Sequence, residues 1–320
     1  MRPTGRLHLG HLVGALAKWV SLQAEYECYF MAADWHALMS EYEDPKELSR
    51  NTYEIVRDWI ACGIDPAKSV LFVQSQISGH LELAMVFGDI TPLPWVERCP
   101  TYKEQLREIK GRELATYGFL GYPILQAADI ALYKANKVPV GIDQLPHLEL
   151  AREIIRRFNG LYKKEIFPEP EPLLTDTPKL LGLDNRKMSK SYGNCIFLSD
   201  DPSAISKKVS GMITDPQRIR LNDPGHPDIC TVFSYYAAFS PGGMRAEARA
   251  WCENAKIGCT ECKSRLAKIL SDMLSPIREK RQKLTDSKIE EILAAGSGKA
   301  KTLASQTMDD VRGRVHLYMR

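Results

Sequence analysis

The sequence predicts an α/β protein in which a doubly wound parallel sheet is followed by an all-α C-terminal region. Three observations predict it. Apolar runs of strand length alternate with amphipathic runs of helix length over the first half of the chain. Strand signals fade after Asp201. The 320 residues are 44% hydrophobic, which is enough for a sizeable core and leaves room for two domains.

Taken in order, Leu12 to Ala24 carries helical spacing, and Cys28 to Ala33 is a buried strand. Asp44-Pro45-Lys46-Glu47 opens a helix that runs to about Cys62, because Asp44 can cap, Pro45 suits the first turn and Glu47 can reach back. Ser69 to Val73 is a second strand, two helices follow before Tyr133, and Val138 to Gly141 ends a further strand. In such a sheet, ligands bind beyond the carboxyl ends of the strands. Phe167 to Leu183, rich in Pro, Leu and Lys, reads as a connector. Ser287 followed by Glu290 is a capping-box start, after which Ala304, Met308, Val311 and Val315 fall on one helical face.

Composition narrows the function classes. A net charge of +3 permits an anionic partner such as RNA without demanding one. No apolar run of about 18 residues is present and no basic segment precedes an apolar one, so neither a membrane span nor a secretory leader is expected. A cytoplasmic protein is the expectation, with no membrane or DNA partner. The eight cysteines then do not read as a disulfide framework. Cys28, Cys62, Cys99 and Cys195 are scattered and read as small core residues.

Chemistry concentrates first at the N-terminal end. Pro3, Thr4 and Gly5 form a turn ahead of His8-Leu9-Gly10-His11. Gly10 lets a ligand lie against the backbone, the following helix start favours phosphate, and two imidazoles can donate to phosphate oxygens as charge grows there. Taken alone the tetrad is equally two surface histidines near a helix start. Arg186-Lys187-Met188-Ser189-Lys190-Ser191 changes the balance: two lysines on a loop with small hydroxyl residues can close over a triphosphate. By itself that run is an ordinary solvated basic loop.

A third stretch runs from Gly121 through Tyr122, Gln126 and Asp129, with Val138-Pro139-Val140-Gly141-Ile142-Asp143-Gln144 behind it. Asp129 sits among apolar residues on a helix, where a carboxylate needs a partner. Lys134 would serve as a structural one. The alternative is a single ligand donor such as an indole N–H, and a site built around that donor rejects phenylalanine, which lacks it.

Together the tetrad and the lysine loop resemble the two signatures of class I aminoacyl-tRNA synthetases. The Asp129 stretch, with Ala32-Ala33-Asp34-Trp35-His36-Ala37, resembles bacterial tryptophanyl-tRNA synthetases over essentially the whole chain. The tyrosyl family shares the fold and the Tyr122/Gln126/Asp129 pattern, and the Val-Pro-Val-Gly-x-Asp-Gln run favours tryptophan. The resemblance implies a Rossmann-like catalytic domain over 1–183, a mobile loop over 184–200, and a helical tRNA anticodon-binding domain over 201–320 whose last helices pack back on the first. It implies that L-tryptophan is activated with ATP and Mg2+ and passed to tRNA(Trp), in a homodimer. His8, His11, Lys187 and Lys190 match catalytic positions. Arg2, Pro3, Thr4, Gly10, Gly141, Ile142, Asp143, Leu180, Met188, Ser189 and Ser191 match the ATP site, with Ile142 standing where many relatives carry Glu. Asp129, Tyr122, Gln126, Gln144 and His36 match the tryptophan site. The alternatives are a tyrosine-specific enzyme, a small nucleotidyltransferase sharing the tetrad, and a non-catalytic tryptophan-binding paralogue.

Cys230, Cys252, Cys259 and Cys262 are spaced C-x21-C-x6-C-x2-C, which suits tetrahedral zinc or an iron–sulfur cluster. A subset of the family resembles this segment and binds [4Fe–4S], which is the expectation here, with zinc as the alternative. Lys256, Lys263, Arg265 and Lys268 nearby are either RNA-facing or a solvated face. The family also carries a short apolar strand ahead of the positions matched by Met1 and Arg2. The expectation is a start placed downstream of the true one, the alternative a chain that is short by a strand.

Overall fold

The computed structural model describes residues 1–99, 116–174 and 180–317. Among the described residues the strands form two separate parallel pairs. β1 (Cys28–Ala32) pairs with β2 (Ser69–Val73), Cys28 opposite Ser69 and Ala32 opposite Val73. The crossover between them carries α3 (Asp34–Glu41) and α4 (Leu48–Cys62). β2 is buried on both faces, as its unbroken apolar sequence requires, whereas β1 alternates buried with half-buried residues. β3 (Lys137–Val140) pairs with β4 (Glu171–Leu174) through the crossover helix α9 (Leu145–Leu161). The expected parallel sheet is therefore present as two halves. A cavity of about 620 Å3, lined by Met31, Ile130, Val138 and Pro139 among others, lies between them. Met1 runs beside the end of β1, its amino group donating to Met31 O at 2.6 Å and its carbonyl accepting from Ala33 N at 2.9 Å.

Several expected boundaries move. The first helix is α1 (Leu9–His11), a π turn (Leu12–Leu16) and then α2 (Ala17–Leu22). α4 starts at Leu48 with Glu47 as its cap, so the Asp44-Pro45 segment is a turn ahead of the helix. α4 ends at Gly63, whose φ of 116° suits only glycine. Between β2 and β3 come α5 (Gly79–Ile90), α6 (Leu93–Glu97), α7 (Tyr117–Leu120) and α8 (Tyr122–Ala131). The Pro-rich connector contains β4, a strand that its composition hides.

After Asp201 the described chain is helical: α10 (Pro202–Ser210), α11 (Thr231–Phe239), α12 (Met244–Glu253), α13 (Cys259–Gln282) and α14 (Asp286–Val315). The cap of α14 is Thr285, two residues ahead of the Ser287 expected, its hydroxyl accepting from Lys288 N at 3.2 Å. α14 lies across β2. A Cβ on Gly296 would stand 1.9 Å from Leu71 O, so only glycine fits that crossing, and Ser297 Oγ accepts from Val73 N. Ala304, Met308 and Val311 sink into the same core as Phe72, Phe87 and Ala127, while Leu7 and Leu9 share a second core with Trp59, Tyr235 and Leu270.

Candidate active site

The opening motif is held as a short extended segment. Leu7 O accepts from Leu198 N at 2.9 Å and Leu9 N donates to Ile196 O at 3.0 Å, so His8 lies antiparallel to Phe197. The His8 N–H donates to His11 Nδ1 at 3.2 Å, which places the proton of a neutral His11 on Nε2. The two rings stand 3.9 Å apart. Burial, with Lys190 adding to it, lowers His8 to about 4, and burial, then His8 and Lys190, lower His11 to about 3. Both are neutral at neutral pH and each keeps one N–H to donate. His8 Nδ1 is buried and has no partner. Gly10 leaves room for the His8 ring, which a Cβ there would meet at 3.0 Å, so a side chain would push the ring by a few tenths of an ångström. The regular helix start expected behind the tetrad is only three residues long before it widens into the π turn.

The lysine loop comes to the same place. Lys190 Nζ donates to Gly5 O at 2.7 Å, where Gly5 turns with a φ of 109°. Burial pulls Lys190 down to about 8, against the pull of Cys195 and Asp58. Asn194 shapes the loop: its Oδ1 accepts from Ser189 N at 2.8 Å, and its Nδ2 donates to Lys187 O at 3.1 Å and Asp184 Oδ1 at 2.7 Å. Met188 is buried against Gly10, Lys187 is exposed, and Ser191 lies in the turn Lys190–Tyr192. Leu180 is half-buried against the core, next to the Leu181–Lys187 bridge. Of the two lysines, then, only Lys190 touches the opening motif.

A cavity of about 500 Å3 opens beside Met1 and Arg2, and His36, Tyr122, Gln126, Asp129 and Gln144 all line it. α8 explains three of these, since Tyr122, Gln126 and Asp129 fall on one helical face. Asp129 Oδ2 accepts from His36 Nε2 at 2.8 Å, while Oδ1 accepts from His80 Nδ1 at 2.7 Å and Gln74 Nε2 at 2.8 Å. Burial would raise this carboxyl, but the hydrogen bonds and charge of His36 and His80 hold it at about 2. Lys134 is not its partner; that amine pairs with Asp310 at 3.0 Å. Because Asp129 keeps three protein donors, a ligand lacking an indole N–H would not leave it unpaired, and rejection of phenylalanine rests on fewer lone pairs than the sequence suggests.

Tyr122 Oη is hydrogen-bonded to His147 Nε2 at 2.5 Å, and His147 Nδ1 is buried with no partner. Sequence reasoning assigned no role to Gln74, His80 or His147. Their signal was a histidine on each of two apolar helix faces, which is more often core than site. Gly141, Ile142 and Asp143 stand outside the cavity lining: Asp143 Oδ2 accepts from Gln144 Nε2 at 3.0 Å, and Ile142 is 70% exposed. Pro3 is buried, and Thr4 N turns back to Arg2 O at 3.0 Å.

The late cysteines are all free thiols that line one small cavity with Val232, Ile257 and Arg218. Arg218 Nη1 lies 4.0 Å from Cys259 Sγ. Among the described residues, however, no three His, Cys, Asp or Glu side chains form a group able to hold a metal ion. The four expected ligands are thus gathered but not drawn together, and burial raises the thiols of Cys252 and Cys262.

The family model of class I tRNA synthetases for tryptophan and tyrosine matches residues 1–275. Tryptophan–tRNA ligase of Thermotoga maritima is 48% identical, covering 99% of this chain and 98% of that one. The ligase of Aquifex aeolicus is 45% identical with the same coverage. The crystal structure of tryptophanyl-tRNA synthetase from Campylobacter jejuni, complexed with ADP and tryptophan, superposes with a TM-score of 0.90 at 32% identity, covering 99% of this chain and 98% of that one. With these two converging motifs and nearly half of its positions shared end to end, the chain belongs to the tryptophan–tRNA ligases within the class I synthetases.

Proposed function

We propose that the chain joins L-tryptophan to ATP, forming tryptophanyl-adenylate and pyrophosphate, and then passes the tryptophan to tRNA(Trp). One observation carries this reading. Lys190 is seated on the Gly5 turn of the His8–His11 motif, and the same turn leads through Arg2 to the cavity around Asp129. A carboxylate oxygen of tryptophan attacks the α-phosphorus, and the bond to the bridging oxygen of pyrophosphate breaks. Such a step asks the protein for placement and charge rather than covalent work. His8 and His11 donate N–H groups to the α-phosphate oxygens. Lys187 and Lys190 take the charge of the leaving pyrophosphate, Lys187 by closing from its exposed position. Mg2+ enters with the nucleotide and neutralises phosphate charge when bound. Arg2, Pro3, Thr4 and Gly10 lie along the phosphates. Gly141, Ile142 and Asp143 face the ribose, the Leu180 backbone faces adenine, and Met188, Ser189 and Ser191 shape the loop.

In the tryptophan cavity, Asp129 Oδ2 keeps one lone pair for the indole N–H. Tyr122, Gln126, Gln144 and His36 surround the amino acid. ATP–pyrophosphate exchange tests the reading: exchange driven by tryptophan and not by tyrosine is expected, and exchange with neither, or with tyrosine, overturns it.

Residues 1–183 then form the catalytic domain, 184–200 the mobile loop and 201–320 the tRNA-binding domain. Of the four basic residues singled out near the cysteines, Lys263 donates to Ser210 O and Arg265 pairs with Glu261, which leaves Lys256 and Lys268 as the freer two for RNA. Leu81 and Met85, one turn apart on α5, are exposed apolar residues, which supports a homodimer. No helix among the described residues is long and apolar enough to cross a membrane, and the tRNA pool places the enzyme in the cytoplasm.

Cys230, Cys252, Cys259 and Cys262 are proposed to hold a [4Fe–4S] cluster, with zinc as the second reading. Support comes from the chemistry of four free thiols on one cavity. Iron, sulfide and zinc contents of anaerobically purified protein decide between cluster, zinc and neither.

A further inference from the structure

Asp58, on α4, has no exposed surface. Its Oδ2 accepts from Leu7 N at 3.1 Å, and its Oδ1 accepts from Arg281 Nε at 2.8 Å. Arg281 sits at the end of α13, and its other arm is paired with Glu54. One turn along α4, Arg57 pairs with Glu54 and Asp286, and its Nε donates to Leu284 O at 3.0 Å. The corner between α13 and α14 is therefore fastened to α4 by two arginines and three carboxylates, and the innermost of these carboxylates grips the amide next to His8.

Leu7 has both backbone groups committed. Its N–H goes to Asp58, and its carbonyl accepts from Leu198 N, in the segment that follows the lysine loop. Buried backbone groups have no water to fall back on, so Leu7 stays where these two partners put it. His8 is the next residue, and Leu9 N is fixed to Ile196 O. Without Arg281, Asp58 would be a fully buried carboxylate near Glu54 with one remaining donor, which favours protonation and weakens its hold on Leu7.

We propose that Asp58 and Arg281 are positioning residues for the nucleotide end of the active site. The helical region holds Asp58, and Asp58 holds the Leu7–His8 backbone at the place where the imidazoles meet ATP. This rests on His8 and His11 facing the nucleotide. α13 also carries Cys259 and Cys262 at its other end, so one helix roughly 36 Å long joins the cysteine cavity to the grip on the tetrad.

The test is tryptophan-dependent pyrophosphate exchange by the full chain and by Arg281→Met, Arg281→Lys and Asp58→Asn, with ATP and tryptophan titrated separately and folding checked by circular dichroism. For Arg281→Met, kcat/KM for ATP should fall about ten- to a hundredfold, mostly in KM, as expected when groups that already hold the ATP phosphates in the ground state are displaced, while KM for tryptophan stays within about twofold. Arg281→Lys should recover part of the loss. A folded Arg281→Met with an unchanged KM for ATP, or with equal losses for both substrates, overturns the assignment. Should Arg281→Met not fold, Asp58→Asn takes its place, because it keeps the size of the side chain while removing the charge that both Arg281 Nε and Leu7 N donate to; an unchanged KM for ATP overturns the assignment there too. An unaltered chain without any exchange overturns the functional reading instead.

Discussion

Two carboxylates with little exposed side chain, Asp129 and Asp58, meet opposite fates. Asp129 is held at about 2 against its burial, because three donors converge on it and two of them, His36 and His80, add their charge. Asp58 is pushed above the usual carboxylate range. Its burial is complete, and Glu54 shares the Arg281 that pulls it down. Burial is common to both, so it does not decide the outcome; the number of donors and the company of a second carboxylate do. The difference matches their positions. Asp129 fronts a cavity, with a lone pair to spare for a ligand. Asp58 faces only protein and joins two parts of the chain.

The sharpest test of the comparison is Asp129→Asn, which keeps the shape and turns His36, His80 and Gln74 toward an amide. A loss of about 100-fold or more in kcat/KM for tryptophan is expected, with KM for ATP nearly unchanged, since buried donors lose their acceptor along with the substrate. Equal losses for the two substrates would reduce Asp129 to a structural role like that of Asp58. The next effect is in pH. Lys190 titrates at about 8 in the free protein, so its positive charge is lost as pH rises through that value. The kcat/KM for ATP should fall above pH about 8, and Lys190→Arg should move the falling limb upward. A limb that ignores the substitution removes Lys190 from phosphate binding.

The smallest effect is on stability in acid. Asp129 is lowered from 3.8 to about 2, so its ionised form stabilises the fold above pH 3.8, and that contribution is lost as pH falls through about 2. Melting temperatures of the parent should drop more steeply over that interval than those of Asp129→Asn. At Asp58 the sign reverses: a raised pKa makes ionisation costly to the folded state, so protonation on acidification relieves the fold there.

The local strings were legible from sequence. His8 to His11 and Lys187 to Ser191 are contiguous, their histidines, lysines and serines suit phosphate, and the structure brings Lys190 onto the Gly5 turn. Asp129 was legible as an acid needing a partner, but not which one. Lys134 is nearest in sequence, yet its amine reaches Asp310 on α14, while the true donors arrive from α3, α5 and the end of β2. Long-range packing supplies those contacts, and no local pattern records it. β4 was hidden for a different reason: Glu171-Pro172-Leu173-Leu174 reads as loop because proline is poor in a strand, and it survives in a strand with one neighbour. The cysteine spacing pointed to a metal-ligand set; the four thiols do line one cavity, but ligand geometry depends on side-chain positions that spacing does not fix, and no metal-holding group forms among the described residues.

The crossing of α14 over β2 has a bearing on synthesis. Gly296 and Ser297 of α14 lie against the backbone of β2, and Ser297 emerges 224 residues after the Val73 amide it satisfies. A chain growing from its N-terminus therefore carries that strand uncapped through most of translation. The exposed edge is open to pairing with other nascent chains until the first third of α14 has been made. A ribosome that stops short of Gly296 would release a protein with every motif written out and its sheet still unsealed.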